Sequence, residues 1–257
     1  MSFVSNKRGQ FQYFDQQLGH PDWRGKRILD FGGNRGNFLR DDAGGIDHDK
    51  YWCIDVSRDA IEEGRAAYPR AHWVFYDRYN FEFNARGIRN LAIPDTGQRF
   101  DIILAYSVFT HTDRDEMLDL VRQLRAVLAD DGVLAFTFLD PLWHAFDGDP
   151  YPGSNLRWRL EKRREMGASL QIEPLLAQGQ DARWLALVND DELYADHAEE
   201  RAHGPHDRRA YITFCRPDYM QSIFTDAAIL KPARPERHHC CVIGRGSSAG
   251  AIGPSTS

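Results

Sequence analysis

The apolar positions in the first 140 residues follow two rhythms. Short unbroken runs, Arg27 to Phe31, Tyr51 to Val56, His72 to Tyr76, Phe100 to Tyr106 and Gly132 to Leu139, are rich in Ile, Leu, Val and aromatic residues. Such runs read as strands buried on both faces, as in a parallel sheet. Between them the apolar residues recur at helical spacing. Ser57 is placed to cap a helix through Ala67 that Pro69 stops. Asp113, with Glu116 three residues on, caps a second helix carrying Met117, Leu120, Val121, Leu124, Val127 and Leu128 on one face. Strand alternating with helix is the pattern of an α/β sheet covered on both sides.

From about 141 to 211 that rhythm stops, and aromatic residues, Gly, Pro and charge take over, among them Trp143, Tyr151, Trp158 and Trp184. We read residues 141–211 as a cap inserted into a core formed by 1–140 and 212–246. Within the cap, Asp190 to His203 reads as a helix that Gly204 and Pro205 end. After it, Pro217 opens a helix, and two extended segments follow, Ile229 to Pro232 and Arg237 to Ile243. Residues 247–257 are Gly, Ser and Pro with little to bury, the composition of a disordered tail.

Charge and cysteines narrow the class. The 257 residues carry 32 Lys and Arg against 38 Asp and Glu, a net charge of -6, which disfavours a nucleic acid partner. No apolar run reaches the roughly 18 residues of a membrane span, and the first ten residues lack a secretory core, so a cytoplasmic protein with no membrane partner is expected. Cys53, Cys215, Cys240 and Cys241 form no CxxC pair, which favours reduced thiols over a disulfide framework or a zinc module. The histidines at 197, 203 and 206 match no ligand spacing, and adjacent His238 and His239 point to opposite faces of a strand, so no metal is expected.

The chemistry concentrates where the first strand meets Gly32-Gly33-Asn34-Arg35-Gly36 and a helix start. Glycine there lets a ligand approach the backbone, at the strand end where open α/β sheets bind nucleotides. Asp55, 19 positions beyond Gly36, ends the second strand, where a carboxylate can accept both hydroxyls of a ribose. A dinucleotide turn requires G-x-G-x-x-G, and Asn34 occupies the place of its second glycine. A nicotinamide-dependent oxidoreductase is therefore the rival reading, and not the first one.

These residues resemble the class I S-adenosylmethionine-dependent methyltransferases. The resemblance runs through Asp30 to Gly36, Asp55-Val56-Ser57, Asp77 after the third strand, and Phe100 to His111 as the fourth strand and its exit. It covers about 11–140 and resumes at 212–245. It implies a Rossmann-like seven-stranded sheet with an antiparallel last strand, helices on both faces and the cap between strands five and six. It also implies S-adenosyl-L-methionine as cofactor. Asp30 and the turn Gly32, Gly33, Asn34 and Gly36 would hold its methionine end, Asp55 the ribose, Val56 the adenine face and Asp77 the adenine amino group, with neighbouring Arg78 also in the cofactor site. Tyr106 and Ser107 would line the pocket, and Tyr13, on a helix before the first strand, would cover it. The helix after the turn is cut short by Asp41, Asp42, Gly44 and Gly45, a departure from the family.

A methyl acceptor that must lose a proton needs a base. His111, just past the fourth strand, and His144, past the fifth, are the candidate catalytic residues. The fourth-strand exit reads Ala105-Tyr106-Ser107-Val108 and lacks the Asn or Asp followed by Pro-Pro of base-methylating relatives. A small-molecule acceptor in specialised biosynthesis is the expectation, with oxygen, then nitrogen, then carbon as the attacked atom. Arg157, Arg159, Lys162, Arg163 and Arg164 form a basic concentration that suits an anionic group on the acceptor. The aromatic cap offers a surface for a homodimer. A chain that keeps the cofactor site without methylating, as a binding module or cyclase, is the further alternative.

Overall fold

The computed structural model describes residues 9–42, 44–80, 83–141, 156–165, 167, 171–188, 192–196, 210–232 and 238–244. After helix α1 (Gln10–Gln17), the five apolar runs form β1 (Ile28–Phe31), β2 (Tyr51–Asp55), β3 (His72–Phe75), β4 (Phe100–Ala105) and β5 (Leu128–Phe138). Between them lie α2 (Asn37–Arg40), only four residues long as the glycines and aspartates after it predict, α3 (Arg58–Ala67) and α4 (Arg114–Ala126). Both expected caps are in place. The Ser57 hydroxyl accepts the Ala60 N–H at 3.3 Å, and Asp113 accepts the Glu116 N–H at 2.7 Å, each contributing about 1 kcal/mol to its helix.

After β5 come α5 (Leu156–Glu165), α6 (Ile172–Asp181), β6 (Trp184–Val188), β7 (Glu192–Asp196) and β8 (Ala210–Cys215), the last crossing the expected boundary at 211/212. The expected helix over 190–203 is corrected in its described part. Glu192–Asp196 is a strand paired antiparallel with β6, with Leu185 opposite Ala195 and Leu187 opposite Leu193. A partner strand supplies hydrogen bonds that local helical propensity cannot foresee. β8 pairs with the other edge of β6, so the chain joins the smaller sheet at 210–215 before re-entering the core. Then follow α7 (Pro217–Ile223), β9 (Ala227–Leu230) and β10 (His239–Gly244).

The larger sheet has the order β3-β2-β1-β4-β5-β10-β9, parallel except for β10, which runs antiparallel to both β5 and β9. The chain leaves β1 toward β2 on one side and reaches β4 on the other, so the strand order reverses between β1 and β4. That is the crevice where such sheets bind ligands, at the carboxyl ends of the strands. Neighbours along a strand face opposite layers. Leu29 and Ile103 pack with α4 through Met117, Leu120 and Leu124, whereas Ile28 and Ile102 pack with Tyr13, Phe14 and Phe38 on the other face. A third cluster, including Leu156, Leu160, Leu185 and Phe214, gathers the buried residues of α5, β6 and β8. Residues 247–257 lie outside the described residues.

Candidate active site

The turn after β1 can be formed only with glycine at its tightest points. Gly33 lies directly over Asp30: a Cβ there would stand 2.4 Å from Asp30 Oδ2 and 2.9 Å from Cys53 Sγ. Gly36 has φ +84°, and a Cβ on it would meet Trp73 at 2.9 Å. The Gly32 N–H is bonded to the Ile54 carbonyl at 2.7 Å, which ties the turn to β2. Asn34 also takes a left-handed φ, 55°, which Asn tolerates better than most residues.

Two carboxylates hold this turn from different sides. Asp30, 2% exposed, sits beneath it and accepts the Tyr51 hydroxyl at 2.5 Å. Burial pushes its carboxyl up to about 7, the Tyr51 hydrogen bond acts in the opposite sense, and the nearby Asp55 charge adds to the rise. Asp55 accepts the Asn34 N–H at 2.8 Å on one oxygen and the Ser57 N–H at 2.7 Å on the other, so it clasps the two ligand-facing turns together. Its carboxyl is also raised by burial, against the backbone N–H groups that favour its charge. Asp55 and Val56 border a cleft whose other walls include Gly32, Tyr76, Asn80, Val108 and Leu120.

Past β3 the predicted residues separate. Asp77 is exposed, and its carboxylate accepts the Asn84 side-chain amide at 3.0 Å. Arg78 is 4% exposed and turned inward. It pairs with Glu116 of α4 at 2.8 Å and donates to the Leu91 carbonyl at 2.6 Å and the Tyr76 hydroxyl at 3.3 Å. Burial raises the Glu116 carboxyl, and Arg78 opposes that rise. This pair fastens the 77–91 loop to α4 at the floor of the cleft.

At the β4 exit Ser107 has φ 56°, its N–H donates to Thr137 Oγ1 at 2.7 Å, and its hydroxyl meets that of Thr110 at 2.9 Å. His111 closes a single helical turn, Phe109–His111, and its ring lies edge-on to exposed Phe83 at 6.4 Å. Tyr106 and Tyr13 meet edge-on at 5.4 Å, and both contact His238, which the sequence analysis weighed only as a metal ligand. The antiparallel course of the last strand was the available signal for His238, since it brings that strand's first residues to the ligand edge. His144 and the side chains of Arg159, Lys162 and Arg163 lie outside the described residues. Arg157 is paired with Glu173 of α6 at 2.8 Å. Among the described residues no three His, Cys, Asp or Glu side chains gather as metal ligands, and no helix is long and apolar enough to cross a membrane.

A glycine turn clasped by buried carboxylates at the strand-order reversal, in a sheet with this last antiparallel strand, defines a class I methyltransferase fold. Residues 29–134 match the family model described as a methyltransferase domain. Over that segment, less than half of the chain, the sequence is similar to a methyltransferase domain.

Solved structures of similar fold include the glycopeptide N-methyltransferase MtfA complexed with S-adenosyl-L-methionine, at TM-score 0.51 and 11% identity over 94% of this chain and 95% of that one. An S-adenosylmethionine-dependent methyltransferase from Clostridium acetobutylicum ATCC 824 has TM-score 0.50 at 11% identity, over 95% and 94% of the two chains. One from Mesorhizobium loti has 0.50 at 14%, over 92% and 99%. No curated protein matches the sequence.

Proposed function

We propose that the chain transfers the methyl group of S-adenosyl-L-methionine to an oxygen of a small molecule, with nitrogen and then carbon as the alternative nucleophiles. The observation that carries this reading is the Asp30–Gly33–Asp55 arrangement. The glycine turn held from beneath by Asp30, and the Asp55 carboxylate at the edge of the cleft, suit a ligand that carries a ribose and lies against the turn backbone. Asp30 acts through the turn it supports, because it lies beneath the backbone and away from solvent. Asp55 takes the ribose hydroxyls on the lone pairs that Asn34 and Ser57 leave open, and Val56 flanks the base. Asp77, at the mouth, is the partner for the adenine amino group. Arg78 serves the same end indirectly, by fixing the loop that carries Asp77.

When bound, the cofactor supplies an electrophilic methyl group on sulfur. The protein's tasks are then to hold the acceptor in line, exclude water and receive its proton. On this reading Tyr106 and Ser107 would border the methyl, and His111, whose ring lies beside exposed Phe83, would face the acceptor as a candidate base. The acidic net charge and the absence of a Pro-Pro exit after β4 support a small-molecule acceptor in a biosynthetic role. Calorimetry with S-adenosylhomocysteine and with NAD tests the cofactor, and labelled methyl transfer to a panel of phenols, amines and carboxylates tests the reaction. Tight S-adenosylhomocysteine binding with label on a hydroxyl is expected. NAD binding in its place would overturn the reading, and cofactor binding with no transfer would point to a binding module.

A further inference from the structure

Because β10 runs against its neighbours, its first residues reach the edge where β1, β4 and β5 end. His238 stands one residue before that strand and is 7% exposed. Two tyrosines far away in sequence converge on it. Tyr13 of α1 donates to the His238 carbonyl at 2.9 Å and so fixes its backbone. The Tyr106 hydroxyl lies 3.4 Å from His238 Nδ1, and the two rings are 5.0 Å apart. Phenylalanine at 106 would preserve the ring contacts with Tyr13, Phe14 and His238, so packing alone does not account for the phenol oxygen. Tyr13 is 3% exposed and His238 7%, while Tyr106 is only partly buried and follows β4 directly, so within this trio it is the member with access to solvent at the strand ends.

We propose that Tyr106 and His238 form the proton-accepting pair for the methyl acceptor, Tyr106 touching the acceptor hydroxyl and His238 drawing the proton inward. This rests on the methyltransferase reading above. As the acceptor oxygen bonds to the methyl carbon, the carbon–sulfur bond breaks and its electron pair stays on sulfur, neutralising the sulfonium. The acceptor's proton passes to the Tyr106 oxygen while the Tyr106 proton passes to Nδ1 of His238, so charge and atoms balance. A lone phenol, with its pKa of about 10, is little ionised at neutral pH, whereas an imidazole near 6.5 is a competent sink. Tyr106 is thus the catalytic residue and His238 a positioning residue that acts through it. Among the described residues the titratable groups about His238 include Tyr13 on α1, Tyr106 at the β4 exit, and His239 and Cys240 on the following strand, with Lys231 after β9 acting on His239 and Tyr13 on Cys240.

Nuclear magnetic resonance of the full chain labelled at histidine follows the His238 titration directly. Tyr106→Phe should move its midpoint. Saturating sinefungin, which carries a charged amine where the cofactor carries its methylated sulfur, should lower that midpoint by about 0.5 or more relative to neutral S-adenosylhomocysteine, since a cation within ~6 Å opposes protonation. Equal midpoints with both ligands, or a midpoint indifferent to Tyr106→Phe, would overturn the pair. In parallel, Tyr106→Phe and His238→Asn should bind S-adenosylhomocysteine within about threefold of wild type yet transfer label to a phenol roughly 100-fold more slowly, with the acid limb of the pH profile lost. Variants at wild-type rate refute the pair alone. A wild type that fails to bind S-adenosylhomocysteine refutes the functional reading beneath it.

Discussion

Gly33 and Asp30 occupy one another's space, so neither can change without the other feeling it. Gly33→Ala drives a methyl into the Asp30 carboxylate and Cys53, and overpacking of this kind costs about 1–3 kcal/mol. The expected outcome is a lowered melting temperature together with at least a tenfold loss of S-adenosylhomocysteine affinity, both measured on the purified variant. The protonation of Asp30 sets a second prediction. Its folded pKa of about 7 stands above the unfolded value of 3.8, so the native state holds the extra proton between those limits. Stability from this group is present below pH 4 and is lost as pH rises toward 7. His239, lowered to about 4 by burial, acts in the opposite sense between about 4 and 6.5, which masks part of the trend in the wild type. Asp30→Asn keeps an acceptor for the Tyr51 hydroxyl and does not titrate. The gap in melting temperature between variant and wild type should therefore widen in the variant's favour from pH 4 to pH 7, and a gap constant with pH would contradict the assignment.

Among the elements, α4 and the 77–91 loop are joined by a charge pair with little access to water. Removing one partner of such a pair leaves the other uncompensated, at a cost of about 3–5 kcal/mol, and here the 28% exposure of Glu116 reduces it. Arg78→Met should destabilise by roughly 2 kcal/mol and raise amide exchange across 77–91 well before it does so in β1 or β4, as exchange mass spectrometry would report. Elements whose signals are local were legible in the sequence: Ser57 and Asp113 announce α3 and α4, and the glycines after Asn37 announce the short α2. The Asp30–Gly36 turn and Asp55 could be found for the same reason, since a strand, a glycine turn and the next strand's end lie within thirty residues. β7 was not legible, because Glu192–Asp196 is extended only by virtue of its pairing with β6. His238 was missed for a related reason. Its partners are 132 and 225 residues away, and only the sheet order brings them together.

At the scale of the whole molecule the two sheets meet at the turn that follows β4. Thr213 of β8 donates its hydroxyl to the Phe109 carbonyl at 2.7 Å, and Trp184 and Cys215 pack into the core cluster that contains Phe109 and Phe136. Thr213→Val removes that hydrogen bond at about 1 kcal/mol and loosens the turn that ends in His111. Steady-state kinetics should show a raised KM for the acceptor and an unchanged affinity for S-adenosylhomocysteine. The inserted segment leaves after β5 and returns through β8, and the two junctions meet where the Cys215 N–H bonds the Leu139 carbonyl at 2.8 Å. On the proposed function, the larger sheet would hold the reagent and the inserted segment would choose what receives it. An exchange of residues 141–211 for the corresponding segment of another chain of this fold would amount to a change of clientele, provided the Thr213 anchor is kept, with the reagent half left as it stands.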